Sequence, residues 1–196
     1  MHIEAVISTH VHADHRSGDR ALAARTGAPI YFHESATLSY PFRPLRDGAE
    51  ISLGNVIITV LHTPGHTPES IALLVTDRTR SNEPWLVLTG DTLFVGDVGR
   101  PDLGGEAAAS DLYDSLREKL LSLPDYVEVY PAHISGSPCG KSMSGKASST
   151  IGFERRHNLA LQPRGRAHFI AELYRDLAPK PPEFDTIVAA NRGLHR

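Results

Sequence analysis

The chain has 196 residues, a formal net charge of -3 and 40% hydrophobic residues, which suits one soluble domain with a sizeable core. The mildly acidic balance and the lack of a dense basic run argue against nucleic-acid binding, and no apolar stretch nears the ~20 residues that span a bilayer. No signal segment opens the sequence, and Cys139 has no second cysteine to pair with, so the expected compartment is a reducing cytoplasm.

Ile3 to Ser8 is a short apolar run rich in β-branched residues and reads as a buried strand. It runs into Thr9-His10-Val11-His12-Ala13-Asp14-His15, then a helix through Ala21 to Arg25 that Gly27-Ala28-Pro29 stops. Ile30-Tyr31-Phe32 reads as a strand, and Ile51 to Leu53 with Val56 to Leu61 reads as a hairpin turning at Gly54-Asn55. Ile71 to Val75 and Trp85 to Leu88 are two further strands. Leu112, Leu116, Leu120 and Leu123 recur at helical spacing, which predicts an amphipathic helix over about 106–122. Val127 to Tyr130 is a strand leading into Pro131-Ala132-His133. Ser135 to Ser149 reads as loop, and two helical segments separated by Pro179 to Pro182 complete the chain. The reading is one domain over 1–196, with a core over about 1–160 and a C-terminal helical segment over about 161–196. Its class is α+β, with sheets covered by helices.

The 11 histidines are the compositional oddity. Residues two apart in an extended segment point the same way, so His10 and His12 are able to address one ion, with Asp14 and His15 turning in as the helix begins. Imidazole and carboxylate suit zinc, iron or manganese. His66, Asp91 and His133 each follow an apolar strand, in Pro64-Gly65-His66-Thr67, Gly90-Asp91-Thr92 and Pro131-Ala132-His133. Ligands at neighbouring strand ends converge on one sheet edge, where glycine lets the backbone approach closely. Spacing alone points to a two-metal site.

These motifs, in this order, resemble those of the metallo-β-lactamase superfamily over residues about 5–160. The resemblance implies the αββα sandwich. Relatives carry strands ahead of the segment that opens here, so the sandwich is expected to lack the family's N-terminal strands and to show an unpaired edge. Within the superfamily, Thr89 to Leu103 (TGDTLFVGDVGRPDL), Val129 to Gly140 (VYPAHISGSPCG) and Ser149-Thr150-Ile151-Gly152 are similar to bacterial persulfide dioxygenases of the kind fused to rhodanese domains.

That likeness implies one Fe(II) per chain on His10, His66 and Asp91, with His12, Asp14, His15 and His133 behind them or serving a second metal. It implies oxidation of glutathione persulfide, or a related low-molecular-weight persulfide, by O2 to sulfite and thiol. Arg100 is a candidate for the substrate's carboxylate, or for holding its loop through Asp102. Lys141 is a second carboxylate candidate, and Cys139 a candidate sulfur relay if its pKa is lowered. A homodimer is implied, and any rhodanese partner would be a separate protein, since no rhodanese active-site loop follows Asn191-Arg192-Gly193. The alternatives are a glyoxalase II-like thioesterase with two zinc ions, and a non-catalytic metal-binding remnant acting as a sulfur-responsive partner.

Overall fold

The computed structural model describes residues 2–105, 107–162, 165–175 and 177–194. Parallel strands β1 (Val6–Ile7), β2 (Ile30–His33) and β3 (Arg43–Leu45) form a small sheet in that order. A six-stranded sheet follows in sequence order: β4 (Glu50–Leu53), β5 (Val56–His62), β6 (Ile71–Asp77), β7 (Leu86–Gly90), β8 (Glu128–Pro131) and β9 (Ser149–Thr150). Helix α1 (Asp19–Thr26) lies between β1 and β2, and α2 (Ala108–Asp114) runs on as a π-helical turn, Ser115–Leu120. The chain then adds α3 (Ile151–His157), a 3-10 turn, α4 (Arg166–Tyr174) and α5 (Phe184–Asn191).

Strand alternation builds the layers. In β2, Ile30 and Phe32 turn outward and pack with Ala23 of α1 and Val188 of α5. Tyr31 turns inward and joins Ile7 and Leu45 against Val60, Ile71 and Leu73 of the larger sheet. On that sheet's other face Ala72, Val87 and Val129 meet Leu112, Leu116, Leu120, Ile151, Phe169 and Leu173 from the helical side. The result is helix, sheet, sheet, helix, the αββα arrangement the sequence implies. β1 is an edge strand, paired on one side with β2.

Most expected elements are present, with altered bounds. The first strand is paired only over Val6–Ile7, and the long expected helix divides into α2 and its π-helical continuation. β3 contains Pro44 and β9 has two residues, and neither carries a periodic signal. Gly27 caps α1 in the left-handed conformation at φ 75°.

The topology sets the chemistry at one edge. β5, β7 and β8 all run in one direction, because β6 is antiparallel to both β5 and β7 while β8 is parallel to β7. The loops that follow them therefore leave from the same side. The loop after β1 joins them, since the Ile71 N–H donates to the Thr9 carbonyl at 2.9 Å.

Close packing beneath the loop carrying His66 needs Gly65. Its φ is 142°, and an added Cβ would lie 2.5 Å from Cα and 2.7 Å from the backbone N of Leu112. We expect Gly65→Ala to cost about 3 kcal/mol through overpacking and strain, seen as a lower midpoint in chemical denaturation.

Candidate metal centre

His10, His66 and Asp91 come from three separate loops and meet in the interior, each 1% exposed or less. His10 Nε2 lies 3.7 Å and His66 Nε2 3.4 Å from Asp91 Oδ2. One donor atom from each residue lies within 4.8 Å of the others, the span of a common coordination sphere. Both Nε2 atoms are buried without a hydrogen-bond partner. Native interiors rarely leave such atoms orphaned, and an ion on the two lone pairs and the carboxylate would satisfy them.

The other ring nitrogens fix this orientation. His66 Nδ1 donates to the Arg100 carbonyl at 3.0 Å, which leaves Nε2 as the lone-pair nitrogen, and His10 Nδ1 pairs with Thr9 Oγ1 at 3.0 Å. Burial holds His10 well below the usual imidazole range and lowers His12 to about 4, so both rings are neutral near neutral pH. Asp91 follows a register irregularity near Thr89 and sits beside Gly99, where an added Cβ would collide with the Asp91 carbonyl. Thr92 Oγ1 donates to Thr63 Oγ1 at 3.0 Å and the Ala132 N–H to the Gly90 carbonyl at 3.0 Å, tying together the loops that carry His66, Asp91 and His133.

Behind this trio lie two further groupings, His12 with Asp14 and His15, and Asp14 with His133 and Cys139. His133 links them. Its Nδ1 hydrogen-bonds Asp91 Oδ2 at 3.1 Å, and its Nε2 lies 3.0 Å from Asp14 Oδ2. Burial opposes its charge, but the bonds to Asp14 and Asp91 prevail and raise it to about 10. Burial likewise opposes ionisation of Asp14 and Asp91. The His133 hydrogen bond and neighbouring imidazoles hold both carboxylates below their usual range. His133 thus stands as an imidazolium between two carboxylates, with both nitrogens engaged.

The remaining candidates are placed differently from the substrate-binding expectation. The Arg100 guanidinium is buried, bonds Asp102 at 2.7 Å through both Nε and Nη2, and donates to the carbonyls of Pro138 and Ala178. It braces the loops, and its contribution to the centre is the carbonyl that orients His66. Lys141 Nζ donates to the carbonyls of Glu172 and Arg175, capping the C-terminal end of α4. Both cations are engaged within the chain, and for Arg100 the pairing with Asp102 is the loop-holding alternative offered by the sequence. Burial, and then the charges of Asp91 and Asp14, push the Cys139 thiol upward, opposite in sign to what a sulfur relay needs.

Two supports had no signal in the sequence. Glu69 is buried and accepts the Val11 N–H at 2.9 Å, holding the chain between His10 and His12. Asn191 reaches the same loop from α5.

Fold and centre together define a metal-binding protein of the αββα class. The family model described as the metallo-beta-lactamase superfamily matches residues 1–133, and the chain belongs to that superfamily. A Mycobacterium leprae protein named only as uncharacterized is 36% identical over 81% of this chain and 76% of its own length. The hydroxyacylglutathione hydrolase of Polaromonas is 37% identical over 67% of this chain and 48% of its own. Persulfide dioxygenase ETHE1 of Bos taurus is 29% identical over 94% of this chain and 66% of its own.

Among solved structures, a metallo-beta-lactamase from Staphylococcus aureus superposes with a TM-score of 0.90 at 36% identity, covering 99% of this chain. The chain spans 59% of that protein's length. ETHE1 from Myxococcus xanthus superposes with a TM-score of 0.83 at 35% identity, over 100% of this chain and 79% of its own. Among the described residues no helix is long and apolar enough to cross a membrane.

Two expectations follow. His10→Ala should remove tight metal binding while His12→Ala retains most of it, measured by metal content after dialysis. Equal losses would indicate two coupled ions. In the metal-free protein His133 is raised from 6.5 to about 10, so its contribution to stability is complete below 6.5 and fades as pH climbs through about 10. His133→Asn should flatten that alkaline decline in denaturation midpoints, and an unchanged decline would assign it to another group.

Proposed function

We propose that this protein is a mononuclear Fe(II) persulfide dioxygenase acting on glutathione persulfide or a related low-molecular-weight persulfide. The observation that carries the proposal is the division of labour among the histidines. His10 and His66 present bare, buried Nε2 atoms to Asp91, whereas His133 spends both nitrogens on Asp91 and Asp14. Two imidazoles and one carboxylate are the facial set of non-haem iron oxygenases. Iron(II), when bound, supplies the electrons that activate dioxygen, which redox-inert zinc is unable to do. The likeness to ETHE1 proteins of Bos taurus and Myxococcus xanthus supports the same substrate class.

The overall conversion takes persulfide, dioxygen and water to thiol, sulfite and two protons. The chain's own residues have definable tasks in it. His10, His66 and Asp91 would hold the ion, and the Arg100 carbonyl and Thr9 hydroxyl keep the two imidazoles turned toward Asp91. His133 holds its proton against the Asp91 carboxylate, restraining its position beside the two imidazoles.

A second reading is a hydrolase with two zinc ions. The grouping of His12, Asp14 and His15 favours it, as does the similarity to the Polaromonas hydrolase. Elemental analysis of protein purified without oxygen separates the two, followed by oxygen uptake with glutathione persulfide and hydrolysis of a glutathione thioester. One iron per chain with oxygen consumption and sulfite release is expected; two zinc ions with thioester cleavage would replace the dioxygenase reading.

A further inference from the structure

The loop carrying His12, Asp14 and His15 has no strand or helix ladder of its own, and a residue near the other end of the chain meets its backbone. Asn191, the last residue of α5, is 5% exposed. Its Nδ2 donates to the carbonyls of His12 at 2.8 Å and His15 at 2.9 Å, and its Oδ1 accepts the Ser17 N–H at 2.9 Å. A primary amide offers two donors and an acceptor in one rigid plane. The three bonds therefore fix three backbone groups relative to one another and set the curvature of the loop from His12 to Ser17.

The clamp is itself held in place. The Tyr40 hydroxyl lies 3.1 Å from the Asn191 carbonyl and 3.2 Å from Asp19 Oδ2. Arg20 Nη2 donates to the Ala190 carbonyl at 3.0 Å, and the Ser39 N–H to that of Arg192 at 2.8 Å. Helix α5 is thus docked on both sides of the amide.

What the clamp positions is the next link. The two bonded carbonyls flank Asp14 in sequence, and the Asp14 carboxylate holds His133 Nε2 at 3.0 Å. His133 in turn holds Asp91, the one carboxylate among the three converging donors. A shift of the loop is transmitted through Asp14 and His133 to a metal ligand, and through the backbone of residues 10–12 to His10.

We propose that Asn191 is a positioning residue for the metal centre, setting the shape of its first loop from the C-terminal helix. The inference rests on the metal centre described above and is independent of which reaction it performs.

The test is anaerobic Co(II) titration of the chain and its Asn191→Asp and Asn191→Ala variants, followed by visible absorption, with thermal unfolding of each metal-free form in parallel. Asn191→Asp keeps the shape but turns a carboxylate oxygen toward two carbonyl oxygens. At temperatures where the variants are folded, Co(II) affinity should fall roughly 10- to 100-fold and the ligand-field bands should shift. Unchanged affinity and bands, even with a lower unfolding temperature, would reduce Asn191 to a helix anchor and overturn the proposal.

Should neither variant fold, the unaltered protein supplies the same answer by reciprocity: if docking of α5 favours metal binding, metal binding must favour docking of α5. Amide exchange across residues 184–191 should slow about tenfold on adding Co(II). Exchange indifferent to Co(II) would overturn the proposal, while an unaltered chain that takes up no Co(II) would bring down the metal centre and this proposal together.

Discussion

Moving the Asp91 carboxylate out of water costs several kcal/mol unless donors or opposite charge face it. Here the His133 imidazolium does so directly, and a cation held on the bare nitrogens of His10 and His66 would do so from two further loops, so the carboxylate is stable only where those loops converge. That requirement propagates outward. β5, β7 and β8 must run the same way to bring their ends together, and Gly99 must lack a side chain for the Asp91 backbone to fit. The small first sheet contributes through the loop leaving β1, held to β6 by the Thr9 carbonyl.

Around that carboxylate the structure sorts chemically similar residues into different tasks by what each atom touches. His10 and His66 have one nitrogen restrained and one bare, the condition of a ligand. His133 has neither bare and acts as a charged link between Asp14 and Asp91. Arg100 illustrates the same sorting for cations, since its fork is consumed by Asp102 and two carbonyls while its own carbonyl serves the centre. Residue type proposes a role, and the second contact of each side chain decides it.

That second contact is what the sequence hides. The α+β class was legible because apolar strand runs are long enough to read, as with Val56–His62 before His66 and Leu86–Gly90 before Asp91, while the αββα sandwich came from the family resemblance of the metal motifs. The choice of His10, His66 and Asp91 as the ligands of one ion came from family resemblance, since spacing alone favours two ions. The Arg100 pairing with Asp102 was one of the two readings its sequence neighbourhood offered, whereas the carbonyl partners of Arg100 and Lys141, on Pro138, Ala178, Glu172 and Arg175, are set by tertiary packing. Strand β1 shrank to Val6–Ile7 because only those residues find a pairing neighbour in β2. Glu69 and Asn191 serve backbone groups, which no side-chain motif announces.

The Asn191 clamp also orders events in time. A ribosome extrudes a chain from its N-terminus, so the loop with His10 and His12 emerges before Asp91 and His133, and Asn191 after all of them. During synthesis the early histidines are exposed on a flexible segment without the carboxylate or the amide that define their geometry. Whatever ion they meet then is held loosely and exchanges freely, so selection of the resident metal belongs to the stage after α5 has closed over the loop.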